Sequence, residues 1–270
     1  LAVGLVAGMI AKMGATFANP AGGDVNAGFL GALFAGFVGG YIVVGLRKLF
    51  SKLPKSLEGI KPVLLYPVIG IFLAAVVTTF INPYMGMIND GLTHFLGGMG
   101  GASRVVLGMV LGGMMSIDMG GPFNKAAYVF GTAAIASGQI DIMAAVMIGG
   151  MTPPIGIALA TTFFKNRFTK SENQTTVTNY IMGLSFITEG AIPFAASDPL
   201  RIIPPCVVGS AVAGALSMAF GCGSRAPHGG IFVIGIVENA PMFLLALAIG
   251  AVVTMAGIIL LKKPLPVEKQ

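Results

Sequence analysis

The sequence is 270 residues long, 55% apolar and only 10% charged, with a formal net charge of +6. Soluble domains carry about 25% charged residues, so this composition excludes a soluble globular domain and reads as a polytopic membrane protein. The basic residues fall mostly in a few short loops, so the charge signals membrane topology rather than a footprint for nucleic acid.

Leu1–Phe17 reads as a span, or the end of one, and Asn19–Asn26 as a Gly/Pro/Asn/Asp turn. The chain starts inside an apolar run without an initiator Met, so a fragment or domain of a longer protein is expected. Ala27–Leu46 is a clean apolar run with Gly36 and Gly40 at the spacing that lets membrane helices approach closely. Arg47–Lys61 holds five basic residues and one acid in an amphipathic pattern, expected on the cytoplasmic membrane surface. Pro62–Ile81 reads as a span and Asn82–Gly100 as an interfacial helix. Ala102–Ile117 is a span. Ile140–Phe164 is a span with an interruption expected at Thr152-Pro-Pro154. Lys165–Lys170 is a second basic loop. Leu200–Ala219 and Met242–Leu261 complete the spans, before a basic tail expected in the cytoplasm. Three spans between cytoplasmic ends at Lys61 and Lys165 leave the parity open. Either Asn82–Gly100 or Asp118–Gly131 has to cross, or one basic loop is misplaced.

Three polar islands interrupt these apolar runs. The central one is Ile181–Pro199, where Glu189 and Asp198 lie among Gly190, Pro193 and Pro199. A carboxylate at bilayer depth costs about 2.5–3.5 kcal/mol on insertion scales. Backbone broken by glycine and proline beside it marks a place where a chain meets water or a ligand. Glu189 is therefore a candidate for a polar substrate site; the alternative is a helix end at the interface with Glu189 in solvent.

The second island holds Asp118, Asn124 and Lys125, with Gly120-Gly121-Pro122 breaking one helix and Phe123 restarting another. Its new N-terminus presents free N–H groups suited to a hydroxyl or phosphoryl oxygen; the alternative is a surface turn with a snorkelling Lys125. The third, Cys222–Gly230, holds His228, which can donate and accept hydrogen bonds or relay a proton, or can be structural in a Gly-rich loop. Asp198 and Arg201 are placed to pair with each other. His94 and Glu238-Asn239 are weaker candidates. Cys206 and Cys222 fit neither a CxxC pair nor a metal site and read as buried thiols. No P-loop, dinucleotide fingerprint, metal cluster or nucleophile elbow occurs, so no cofactor, metal or catalytic residue is assigned. Two acids in broken membrane segments do not make a glycosidase.

With these residues in view, the sequence resembles the membrane-embedded IIC domain of the fructose family of the bacterial sugar phosphotransferase system. The match rests on Asp118-Met-Gly-Gly-Pro-Phe-Asn-Lys-Ala-Ala127, Phe186-Ile-Thr-Glu-Gly-Ala-Ile-Pro-Phe-Ala195 and Ala226-Pro-His-Gly-Gly-Ile-Phe232. Gly149-Gly-Met-Thr-Pro-Pro-Ile-Gly156 adds to it. The resemblance implies an all-α polytopic fold with about seven to nine transmembrane helices, broken or re-entrant segments and an amphipathic surface helix. It implies a permease for fructose or a related sugar in the inner membrane, assembled as a homodimer, with partner IIA and IIB phosphocarrier domains. Phosphorylation would come from a phosphocysteine on IIB. Thr188 and Glu189 would line the sugar site, with Asn124, Lys125, His228 and Asp118 as further contacts. By analogy, residues 1–112 would be scaffold, 113–236 the moving transport part, and 237–270 the last helix and tail. The same resemblance leads to the expectation that the family's first one or two helices are missing at the N-terminus and that IIA and IIB lie outside these residues. The readings set against it are a proton- or ion-coupled secondary transporter, with Glu189, Asp118 and His228 as a proton path, and a scaffold protein whose islands are only loops.

Overall fold

A computed structural model describes residues 2–23, 25, 27–54, 58–98 and 101–266. The described chain is almost entirely helical, in agreement with the expected all-α membrane fold, and divides into two compact units, Leu1–Gly98 and Met99–Gln270.

The first unit holds α1 (Ala2–Met13), α2 (Gly28–Phe50) and α3 (Tyr66–Gly97), the last entered through a π-helical turn at Lys61–Leu65. Small residues set the spacing of these helices. A Cβ on Gly39 would stand 3.2 Å from Gly4 Cα, and Val3, Ala7, Ala11, Ala35 and Ala74 form the shared core. Asn82, buried on α3, donates its amide to Ile10 O at 3.2 Å and Ala15 O at 2.7 Å. It thereby adds a side-chain donor to Ile10 O, which also accepts from Ala15 N–H at 3.4 Å, and satisfies Ala15 O just beyond α1.

The sequence divided Pro62–Ile81 from Asn82–Gly100, but α3 runs unbroken past Pro83 to Gly97. The other parity candidate, Asp118–Gly131, supplies a separate helix, α5 (Pro122–Ala136). Of the segment expected on the surface at Arg47–Lys61, Arg47–Phe50 extend α2 and Lys61 is buried in the π-helical turn. Lys55–Leu57 lie outside the described residues, as do Asp24 and Asn26 of the first predicted turn.

The second unit is built on α4 (Gly101–Ile117), α6 (Ile140–Phe163), α10 (Pro199–Ala219) and α11 (Ala240–Leu261). Shorter helices α5, α7 (Lys170–Gln174), α8 (Thr176–Leu184) and α9 (Ile192–Ser197) surround them, with a two-stranded hairpin of β1 (Gly223–Ser224) and β2 (Val237–Glu238). The centre of α6 is buried on every side. Its contact with α4 is so close that a Cβ on Gly149 would fall 2.6 Å from Gly112 Cα. Such approach of backbones replaces the hydrophobic drive that lipid does not supply.

The interruption expected at Thr152-Pro-Pro154 is absent, because α6 is continuous from Ile140 to Phe163. Proline removes an amide, so Pro153 and Pro154 leave the carbonyls of Gly149 and Gly150 without helical partners. Neighbouring hydroxyls replace them. Ser210 Oγ donates to Gly149 O at 2.8 Å, and Thr188 Oγ1 donates to Gly150 O at 3.0 Å. Membrane helices tolerate proline where side chains re-satisfy the freed groups in this way.

Five helices among the described residues are long and apolar enough to cross a membrane, within Gly31–Phe50, Lys61–Ile88, Ile140–Phe163, Pro199–Ala219 and Ala240–Leu261. Ala2–Met13 and Gly101–Ile117 are shorter apolar helices.

Candidate functional site

The three polar islands converge in the second unit. The first connects α4 to α5. Met119 and Gly120 have positive φ (46° and 115°), which turns the chain sharply after Asp118. The Asp118 carboxylate accepts from Phe123 N–H at 2.7 Å and Asn124 N–H at 3.0 Å. It thus occupies the N-terminus of α5, where a carboxylate satisfies both free amides and the helix dipole. These amides, which the sequence offered to a substrate oxygen, are already engaged within the protein.

One turn into α5, Asn124 is buried and donates its amide to Met115 O at 2.8 Å, tying α5 to the end of α4. Lys125 extends towards the second island, with its ammonium 3.5 Å from Glu189 Oε1.

That second segment begins where α8 ends. Phe186 adopts a left-handed conformation, φ 64°, and redirects the chain into a 3-10 turn at Thr188–Ala191. A non-glycine residue held there costs on the order of 1–3 kcal/mol and needs packing to maintain it. Gly150 provides the space, since a Cβ there would be 2.4 Å from the Phe186 ring and 2.8 Å from Thr188 Oγ1. Gly120 does the same for Glu189, whose Oε1 lies 2.8 Å from the position of a Cβ.

The third segment is the hairpin loop. Gly229 and Gly230 have φ of 126° and 57°, and a Cβ on Gly230 would fall 2.1 Å from Leu184 O. This contact seats the loop on the end of α8 and brings His228 to Phe186, with ring centroids 4.8 Å apart. Arg225 and Glu238 pair at 2.7 Å across the hairpin.

Together these segments enclose a cavity of about 340 Å³ lined by Asn124, Lys125, Tyr128, Phe186, Thr188, Glu189 and His228, among others. Five of the six residues singled out in the sequence line it. Asp118 does not, and acts on its wall through the α5 cap. Tyr128 and Phe186 had no assigned role in the sequence reading. Tyr128 was recoverable from helical spacing, because it follows Asn124 and Lys125 by four and three residues and shares their face. Phe186 stood in the quoted motif, but nothing local marked its ring as part of a cavity.

The weaker candidates lie elsewhere. Asp198 and Arg201 pair at 3.2 Å, the pairing considered from their spacing, and Glu238 faces Arg225. His94 is exposed on α3 in the first unit. Cys206 and Cys222 are free and buried. Burial pushes the Cys222 thiol above its ordinary pKa, which suppresses the thiolate a phosphoryl acceptor needs.

The cavity suits a small neutral polyhydroxylated ligand. Glu189 offers acceptors, Lys125 a donor, and His228 either, while Tyr128 and Phe186 add aromatic rings to the lining.

The family described as "Phosphotransferase system, EIIC" matches residues 1–209. The "PTS system fructose-specific EIIABC component" of Bacillus subtilis (strain 168) is 50% identical over 242 residues, covering 89% of this chain and 38% of the relative. The "Fructose permease IIC component" of Bacillus amyloliquefaciens is also 50% identical over 242 residues, covering 89% of this chain and 79% of the relative. The "PTS system fructose-specific EIIC component" of Haloferax volcanii is 44% identical over 235 residues, covering 86% of this chain and 62% of the relative. The chain thus spans well under half of the Bacillus subtilis relative and most of the Bacillus amyloliquefaciens one. No solved structure matches the chain. With apolar helices of spanning length and this match over most of its residues, the chain is a multi-pass protein of the bacterial inner membrane that belongs to the phosphotransferase system EIIC family.

Proposed function

We infer that the chain is the sugar-translocating component of a fructose-type phosphotransferase system. The observation that carries this reading is the convergence of Asn124, Lys125, Thr188, Glu189 and His228, from three separate segments, on one cavity. The relatives' names support fructose as the substrate, and the fusion named EIIABC supports a IIB phosphocarrier as the partner. A sugar is neutral and covered with hydroxyls, and a carboxylate accepts charge-assisted hydrogen bonds from two of them. In the empty site that carboxylate is held by Lys125 at 3.5 Å and by solvent, and a ligand hydroxyl at the matching position exchanges these contacts for its own.

In the proposed cycle, sugar enters from outside, is occluded in the cavity, and meets the phosphocysteine of IIB on the cytoplasmic side. A sugar hydroxyl attacks phosphorus, the O–P bond forms, the S–P bond breaks and the thiolate of IIB leaves. The hydroxyl proton passes to a neighbouring base or to solvent. Neither Cys206 nor Cys222 takes part. A scaffold in 1–112, a moving part in 113–236 and assembly as a homodimer belong to the same proposal.

The test is uptake of labelled fructose in cells lacking their own permease, with the protein expressed in its natural length beside IIA and IIB. Accumulation of fructose phosphate that disappears in a phosphodonor-deficient strain and in Glu189→Gln supports the reading. Accumulation of free fructose that collapses with an uncoupler replaces it with proton-coupled transport.

A further inference from the structure

The proposed function leaves open whether the site selects a sugar in its ring form or accepts open-chain polyols equally. The cavity contains two chemically distinct groups of side chains. One is the charged pair of Lys125 and Glu189, suited to hydroxyls. The other is a trio of rings: Phe186 and His228 have centroids 4.8 Å apart, Tyr128 and Phe186 6.2 Å, and Tyr128 and His228 6.3 Å. The three residues come from α5, the turn after α8 and the hairpin loop. Each is delivered by a constraint already described: the Asp118 cap, the left-handed Phe186 and the Gly229-Gly230 turn.

A hydroxyl-binding cavity needs no such cluster. The Tyr128 and His228 rings, backed by the almost fully buried Phe186 and all tilted 39–66° to one another, make a folded aromatic wall on one side of the cavity. A cyclic sugar presents a contiguous face of C–H groups, weakly positive, that such a surface covers while the hydroxyl edge remains free for the charged pair. An open-chain hexitol has comparable hydroxyls but no preformed face, and ordering its rotatable bonds costs binding energy. The cavity volume, about 340 Å³, lies at the low end for small-ligand sites, which suits one monosaccharide unit.

We propose that Tyr128 and His228, backed by Phe186, form an aromatic platform that makes the site selective for a cyclic monosaccharide over an acyclic polyol. This proposal rests on the sugar-permease reading and adds a specificity determinant to it.

Tyr128 is the residue to test, because Phe186 is almost fully buried and conformationally constrained, and His228 has polar atoms of its own. The full chain would be purified into lipid nanodiscs, and binding of labelled fructose measured without phosphodonor, with unlabelled fructose or mannitol competing. The expected result is about tenfold tighter competition by fructose, the scale of a good aromatic contact. Tyr128→Leu, which keeps an apolar side chain, weakens fructose by about that factor and leaves mannitol within about twofold. Tyr128→Phe retains the preference, which separates the ring from the hydroxyl. Equal loss for both competitors in Tyr128→Leu, or no loss for fructose, overturns the platform. A second readout, formation of fructose phosphate with IIB, separates the two claims. Ring selectivity without phosphorylation sustains the platform and sinks group translocation, whereas phosphorylation insensitive to Tyr128 does the reverse.

Discussion

Thr188 donates its hydroxyl hydrogen to Gly150 O at 3.0 Å, and Gly150 is the residue whose carbonyl Pro154 leaves without an amide. One hydrogen bond therefore repairs the backbone of the most buried helix and fixes the turn that carries Glu189. The motif residue next to the proposed sugar ligand has a structural task independent of sugar.

Thr188→Val keeps the branched shape and removes the donor. It leaves Gly150 O unsatisfied in a buried setting, a loss of about 1–3 kcal/mol. Thermal unfolding of the purified protein should show the drop, and Thr188→Ser should recover most of it because the hydroxyl returns. A Val variant as stable as the parent would show that the hydrogen bond does not support the turn.

The Lys125–Glu189 pair predicts the opposite division. Both side chains are substantially exposed to the cavity, 60% and 43%, and the ion pair spans 3.5 Å. Such a pair contributes about 0–1 kcal/mol to folding. Glu189→Gln should leave the unfolding temperature nearly unchanged. Its effect belongs to the ligand: hydrogen bonds to a charged group are worth about 1.5–3 kcal/mol, so fructose affinity should fall by roughly ten- to hundredfold. Equilibrium binding and thermal unfolding on the same preparation check the split. Unchanged affinity would remove Glu189 from the site.

The islands were legible in sequence because a charge among glycine and proline in an apolar chain has few benign explanations. Glu189, Lys125 and His228 stood out for that reason. The helices were legible where apolar runs were long, as in Ala240–Leu261. The reading missed the continuity of α6, because proline is a local breaker while its remedy comes from Ser210 and Thr188, 61 and 38 residues away from the carbonyls they satisfy. It also divided α3 at Asn82, because Asn82–Gly100 is less apolar than the run before it and holds Asp90 and His94. Asn82 instead caps the end of α1 from within a continuous helix. Asp118 was legible as functional-looking but not as a cap, since its partners depend on the positive-φ turn at Met119-Gly120.

A second charged pair, remote from the cavity, should control stability rather than binding. Lys262, after α11, lies 3.6 Å from Glu172 on α7, and their side chains are only 8% and 13% exposed. Glu172 also accepts from Thr169 N–H at 2.8 Å and Ser197 Oγ at 2.9 Å, while the Lys262 ammonium sits 4.7 Å from the centre of the Phe168 ring. The cluster thus joins the α6–α7 connection, the end of α9 and the end of α11. Removing one charge strands the other where water is scarce, a loss of about 3–5 kcal/mol for a well-buried pair. Lys262→Met should therefore lower the unfolding temperature sharply. Glu172→Gln should cost less, because its amide oxygen can still accept a hydrogen bond. The combined variant should be more stable than the sum of the single losses predicts, by about 0.5–3 kcal/mol, since no unpaired charge remains. Thermal or urea unfolding of all four proteins in one detergent completes the cycle. Simple additivity would show that the two charges are independently solvated and that the cluster is held by its apolar contacts instead.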